Sequence, residues 1–432
     1  MNSVWIETAT RPHFKCLRGD LNTDVLVIGG GMAGLLCAYQ LRVAGVDCVL
    51  LEADRICGGV TGNTTAKITS QHGAIYHKLM RRYGVEGARQ YLSANENALA
   101  KYRALCADID CDFQEKDAFV YSVNDPRVIE KELWALDVIG YPATYEKELS
   151  LPFSTSGAVR FPRQAQFHPL KFAYAISKGI RIFENTKVLE LAPHTATTAH
   201  GTVRAQKIIV ATHFPFLNKH GMYFLKMYQY RSYVLALENA ADVGGMYVDE
   251  NDKGLSFRNC GNLLLVGGGG HRTGGKGGCW QELEEVAARY YPHATERYRW
   301  ATQDCVTLDD MPYIGKYGKS ADGLYVATGF GKWGMTSSMV AADILCDLIL
   351  ERPNPYAALF SPSRSMLHPR LVGNAAKSAF HLLTPTAPRC PHLGCALKYN
   401  REEHSWDCPC HGSRFSEDGK RLDGPATDDK RL

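Results

Sequence analysis

Two short stretches near the end of this 432-residue chain carry its densest chemistry: Cys390-Pro391-His392-Leu393-Gly394-Cys395 and Cys408-Pro409-Cys410-His411-Gly412-Ser413. Each loop offers one thiolate and one imidazole, in the order C-x-H and then C-x-x-H, with fifteen residues between His392 and Cys408. A repeated Cys/His pair suits a [2Fe–2S] cluster with one iron on two thiolates and the other on two imidazoles. Zinc is the competing occupant, but zinc pairs prefer two to four residues between ligands, and C-x-H is shorter than that. The expected metal ligands are therefore Cys390, His392, Cys408 and His411. Ten further cysteines are scattered singly across the first 346 residues, as suits reduced, mostly buried thiols in a reducing compartment.

A second constellation lies at the other end. Gly29-Gly30-Gly31-Met32-Ala33-Gly34 satisfies G-x-G-x-x-G directly after the apolar run 24–28 and at the head of a helical pattern over 31–43. Glycines there permit a tight turn and close backbone approach to a pyrophosphate, which the N–H groups of the helix start then bind. Residues 47–52 read as a second buried strand, and Glu52 at its end can accept a hydrogen bond from a ribose hydroxyl. The motif alone does not choose between NAD and FAD. A third glycine-rich stretch, Gly270-His271-Arg272-Thr273-Gly274-Gly275-Lys276-Gly277, fits G-x-x-x-x-G-K. Gly277 stands where a P-loop needs Ser or Thr for magnesium, so the stretch reads as a mobile loop between a strand over 263–266 and a helix from Trp280.

Further buried strands are expected at 207–212 and 324–328, followed by a helix over 336–350. Glu351-Arg352-Pro353-Asn354-Pro355 stops that helix, and beyond about residue 362 the chain reads as short and loop-rich. Composition is that of a globular protein: 45% hydrophobic, 22% charged, mean hydropathy −0.23. The net charge of +4 is dispersed, which argues against nucleic-acid binding. No apolar run reaches eighteen residues and none of signal-peptide type opens the chain, so no membrane insertion and a cytoplasmic location are expected. Glycine, 40 residues, is in excess and clustered, as where backbone approaches a ligand.

From about Asp24 to Leu350 the chain resembles the FAD-dependent D-amino-acid-oxidase-like family, which includes glycine, sarcosine and glutamylputrescine oxidases. The residues that carry the likeness are the G-x-G-x-x-G unit, Gly58-Gly59-Val60-Thr61-Gly62-Asn63-Thr64-Thr65-Ala66-Lys67, 207–212, Asp310-Met311-Pro312-Tyr313-Ile314-Gly315 and Gly329-Phe330-Gly331-Lys332-Trp333-Gly334-Met335-Thr336. Residues 365–432 resemble a Rieske domain, and the whole resembles bacterial flavin oxidoreductases with a C-terminal Rieske domain. The implied fold is an α/β FAD-binding Rossmann-like domain (1–100, 155–215, 301–352) with an inserted α+β substrate domain (101–154, 216–300). A linker (353–364) then leads to a small all-β Rieske domain (365–432).

The resemblance implies FAD contacts at Gly29, Gly31, Met32, Ala33, Gly34, Glu52, Ala53, Gly59, Thr61, Thr65, Ala66, Val188 (at the adenine), Ala211, Gly331, Lys332, Trp333, Gly334, Met335 and Thr336. It also implies a Cys395–Cys410 disulfide joining the cluster loops, and a hydrogen bond from Ser413 to cluster sulfur. Phe415 stands where relatives carry a tyrosine donor. The family's Gly-His-Gly pattern reads Lys332-Trp333-Gly334 here, and no residue is recognisable as a covalent flavin attachment. Candidate catalytic residues are Lys332, Arg258, Lys67 and Arg231, with His72, His168 and Tyr230 as further orienting groups. Lys332 would stabilise negative charge on the reduced ring, and Arg258 and Arg231 would hold a substrate carboxylate by a bidentate fork.

The expected function is oxidation of a small amine or amino acid by hydride transfer to flavin, with the [2Fe–2S] cluster relaying electrons singly to an external acceptor. Two alternatives stand beside it: an oxygen-using amine oxidase with a structural cluster, and a redox-sensing, partner-binding flavoprotein.

Overall fold

The computed structural model describes residues 2–216, 221–318, 321–385 and 388–430. Its organising unit is the strand Leu21–Ile28, the helix Met32–Val43 and the strand Cys48–Leu51, with the two strands parallel from Val25 opposite Cys48 to Ile28 opposite Leu51. The strand begins three residues ahead of the expected start. Gly201–Val210 pairs parallel on the other side, and Leu324–Thr328 lies beyond it. The main path of this eight-stranded sheet runs Tyr313–Lys316, Leu324–Thr328, Gly201–Val210, Leu21–Ile28, Cys48–Leu51, Arg181–Phe183, parallel except for the first strand, and the antiparallel hairpin Val188–Ala192 and Thr195–Thr198 branches from Gly201–Val210. Ile28, Leu51, Val210 and Thr328 therefore end side by side, and the loops that follow them converge on one edge. That edge is where open α/β sheets bind ligands.

A nine-stranded sheet stands beside it, ordered Thr295–Thr307, Met227–Glu238, Leu263–Arg272, Ser256–Cys260, Met246–Asp249, Gln114–Ser122, Gly157–Gln166, Lys67–Ile68, with Thr144–Glu146 on Gly157–Gln166. It reaches beyond the stretches expected for a substrate domain, taking in Lys67–Ile68 and Gly157–Gln166. In Met227–Glu238 and Thr295–Thr307, Tyr230 lies opposite Asp304 and Arg231 opposite Gln303. Successive side chains point to opposite faces, so these two pairs look in opposite directions.

The third unit is a four-stranded antiparallel sheet, Lys398–Asn400, Ser405–Asp407, Arg414–Ser416 and Arg421–Asp423. Its small core gathers Cys390, Cys395, Leu397, Cys408, Cys410, Phe415 and Ala426. The tail is less loop-rich than expected, because Pro369–Leu383 forms a helix whose His368 cap accepts from the Arg370 N–H. Its buried residues are polar (Asn374, Ser378, His381), whereas Val372, Phe380 and Leu383 are exposed, so apolar periodicity marks the wrong face. Among the described residues no helix is long and apolar enough to cross a membrane.

Candidate functional site

The converging loops enclose a cavity of about 590 Å³. Gly29, Gly31, Met32 and Ala33 form one wall, and Glu52, Ala53, Gly59, Thr61 and Thr65 continue it. Val188, Ala211, Gly331, Lys332, Trp333, Gly334 and Met335 line the cavity as well. Three of the expected contacts sit behind this surface. Gly34 packs on the turn, where a Cβ would come 1.9 Å from the Gly29 carbonyl oxygen. Ala66 is buried behind Thr65. Thr336 hydrogen-bonds the Thr69 carbonyl (3.0 Å) and His72 (3.0 Å).

The cavity fits FAD. The helix Met32–Val43 starts at Gly31, which has no side chain to cap it; the Met32 N–H donates to the Thr61 hydroxyl (3.1 Å), and the next helix-start N–H, at Ala33, stands at the wall for a pyrophosphate. Glu52 is held by the N–H groups of Gly30 (2.7 Å) and Asp54 (2.9 Å), which fixes its carboxylate at the cavity rim. Burial raises its pKa against those two bonds.

Of the four expected catalytic residues, two face the cavity. Lys332 donates to the Asp252 carbonyl (2.9 Å) and lies 4.6 Å from the Tyr230 ring centroid. Burial lowers its pKa, and that of Lys67 is pushed down to about 7 by burial and by the charges of Arg258 and Lys332. The other two are engaged elsewhere. Arg231 sits one residue out of phase with the cavity face, and its guanidinium pairs with Glu403 of the C-terminal unit (Nε to Oε1 2.8 Å), so it is not available for a substrate carboxylate. Arg258 is buried behind the cofactor loop, donating to the Thr65 and Ala66 carbonyls (2.8 Å each) beneath the Trp5 ring. It holds the loop in place and does not line the cavity.

The two histidines are also structural supports. His72 bonds Thr69 O (2.8 Å) and Tyr91 OH (2.6 Å) and stacks on Trp333 (4.9 Å); burial pushes its pKa down to about 3. His168 caps the helix Pro169–Ile176. Asp304 was not anticipated. It faces the cavity opposite Tyr230, and only the strand register, invisible in a single sequence, could have pointed to it.

In the C-terminal unit the two Cys/His loops face one another. The His392 and His411 rings lie 5.0 Å apart, and the thiols of Cys390 and Cys408 are within hydrogen-bonding reach. Backbone bonds close each loop: Gly394 N to Cys390 O and Gly412 N to Cys408 O, both 2.9 Å. Both ring nitrogens of His411 are buried with no hydrogen-bond partner, a costly state that a metal ligand relieves, so this donor set fits a metal cluster. Cys395 and Cys410 are free thiols here, their sulfurs within 4.8 Å of each other and of Cys408.

Ser413 accepts from the Ala426 N–H (3.1 Å), and its hydroxyl reaches Cys390. Phe415 is fully buried in the core beside the cysteines. Fewer donors near the sulfurs stabilise the reduced cluster less, so a Phe415→Tyr variant should titrate at a higher potential within the range of roughly −150 to +300 mV. A redox titration giving no upward shift would contradict this.

The C-terminal unit is docked on the nine-stranded sheet and completes the cavity. Residues 421–427 line it, and the Lys187 ammonium donates to the Thr427 carbonyl. Gln229 and Gln303 donate to the backbone of the second cluster loop, at His411 O (2.8 Å) and Gly412 O (2.9 Å). The glycine-rich stretch expected to be a mobile loop forms the end of the strand Leu263–Arg272 and a saddle for Pro409. A Cβ on Gly274 would come 2.8 Å from the Pro409 Cβ. Phe214, which lines the cavity, presents its ring to both His392 and His411 at 6.5 Å.

The family model for FAD dependent oxidoreductases matches residues 24–348, and that for the Rieske [2Fe-2S] domain matches 381–431. The chain belongs to the FAD-dependent oxidoreductases of the D-amino-acid-oxidase type and carries a C-terminal Rieske domain; its cofactors are FAD and a [2Fe–2S] cluster. It is 35% identical to YhfW of Bacillus subtilis (strain 168), named as a Rieske 2Fe-2S iron-sulfur protein, over 98% of this chain and 96% of YhfW. It is 24% identical to the gamma-glutamylputrescine oxidoreductase of Escherichia coli (strain K12), over 78% of this chain and 85% of that protein. The fold is similar to that of glycine oxidase from Geobacillus kaustophilus, with a TM-score of 0.68 at 19% identity over 80% of this chain and 99% of the oxidase.

Proposed function

We propose that this enzyme oxidises a small amine or amino acid and delivers the electrons singly, through its Rieske domain, to an external acceptor. Bound FAD supplies hydride acceptance, and the cluster, held by Cys390, His392, Cys408 and His411, supplies one-electron transfer. The protein's part is orientation and exclusion of water. Lys332 puts a cation at the loop expected against the flavin, where negative charge accumulates on reduction. His72, which itself lines the cavity, stacks on Trp333 of that loop, and Thr336 bonds His72 from behind.

The observation that carries the reading is the docking. The Rieske segment 421–427 is a wall of the cofactor cavity, and Phe214, also in that wall, has its ring centroid 6.5 Å from those of both His392 and His411. A merely structural cluster has no need of such a contact, so the arrangement favours relay over an oxygen-using oxidase. The test is a Cys390→Ser variant assayed with cytochrome c, a one-electron acceptor too large to enter the cavity. Substrate should still bleach the flavin anaerobically, while cytochrome c reduction falls to background. Undiminished cytochrome c reduction would overturn the relay.

A further inference from the structure

We propose that Asp304 is the counter-ion that receives the substrate's ammonium group. The inference rests on the reading of this cavity as an FAD and amine site, and it goes further by assigning the group that recognises the amine.

Asp304 lies within the strand Thr295–Thr307, is 8% exposed, and faces the cavity from the strand register opposite Tyr230. Among the described residues no hydrogen bond or ion pair reaches its carboxylate. The cations nearest in charge are committed elsewhere. The Lys332 ammonium is bound to the Asp252 carbonyl and the Tyr230 ring. Arg231 is paired with Glu403 on the other face of the sheet. An unpartnered buried carboxylate is costly to fold, and a cavity retains one most readily where a cation arrives with the ligand. Burial accordingly raises the Asp304 pKa to about 7, against the pull of Lys332 and Arg231, and a bound ammonium would bring it down again.

The position fits the chemistry. Lys332 belongs to the loop assigned to the flavin and its ammonium lies 4.6 Å from the ring of Tyr230, the residue opposite Asp304, so Asp304 stands beside that loop. Lys67 also lines the cavity, and among the described residues no ion pair joins it to Asp304. The ligand class is thus a primary or secondary amine that arrives protonated.

The test titrates the full holoenzyme at mildly alkaline pH with n-butylammonium and with its neutral analogue n-butanol, reading the perturbation of the flavin absorbance. Wild type should prefer the ammonium by about tenfold or more, the range of a close, desolvated charge pair. Asp304→Asn should remove that preference, and Asp304→Glu should retain part of it. Preference retained in Asp304→Asn overturns the assignment, and so does its absence in wild type, a result needing no variant. Anaerobic bleaching by a panel of amines and amino acids separates the two ideas. Charge-selective binding without bleaching sinks the oxidation reading alone, and bleaching with unchanged selectivity in Asp304→Asn sinks the counter-ion alone.

Discussion

A Glu403→Ala variant is expected to lose about 3–5 kcal/mol of the free energy that holds the Rieske unit on the flavin unit. Glu403 lies between two guanidiniums, Arg231 of the nine-stranded sheet and Arg414 of its own unit (2.9 Å), and also accepts from Tyr233 OH (2.9 Å). All three charged side chains are under 10% exposed. Removing the carboxylate strands the buried Arg231 cation, while Arg414 keeps its pair with Asp407 (3.0 Å), and an unpaired buried cation costs far more than the pair contributes relative to apolar residues of the same shape. A double variant, Arg231→Met with Glu403→Leu, should therefore recover much of the loss. Urea unfolding of the three proteins checks both statements, and equal stability of Glu403→Ala and wild type would refute them. The pH dependence follows in sign. Burial would raise the Glu403 pKa, but the bonds and charges of Arg231 and Arg414 prevail and hold it at about 2, below the ordinary 4.5. The stabilisation is full above that ordinary value and is lost as pH falls from there towards about 2.

Gly34→Ala should purify with little or no FAD. The helix Met32–Val43 approaches the end of its preceding strand so closely that a methyl at residue 34 would lie 1.9 Å from the Gly29 carbonyl oxygen. The backbone on both sides of the pyrophosphate turn must move, and overpacking of this kind costs about 1–3 kcal/mol or more. The displaced groups are the N–H donors that would bind the phosphates, so the damage falls on cofactor retention before it falls on folding. Flavin released by heat per mole of protein measures it, and full occupancy would contradict the account.

The nucleotide turn was legible because its signals are local: an apolar strand, glycines at fixed spacing, a helical pattern and an acid at the next strand end occupy some thirty residues. The cluster loops were legible for the same reason. Arg231 and Asp304 were not, since both depend on cross-strand register. A shift of one residue sends a side chain to the opposite face, and a single sequence does not reveal which face looks into the cavity. Arg258 is hidden for a related reason, as its type suits a carboxylate but its surroundings offer the carbonyls of Thr65, Ala66 and Asn259. The saddle at Gly274 resembled a loose loop because the surface that covers it, Pro409, is more than a hundred residues away in sequence. The helix Pro369–Leu383 hid behind its polar buried face.

The central claim is that electrons leave the flavin through the docked Rieske unit. It is tested most directly by photoreducing the flavin of the full-length holoenzyme without oxygen or added mediators, and following the cluster by EPR. The docking predicts a reduced-cluster signal that grows in step with flavin bleaching. A fully bleached flavin beside an oxidised, EPR-silent cluster would contradict it.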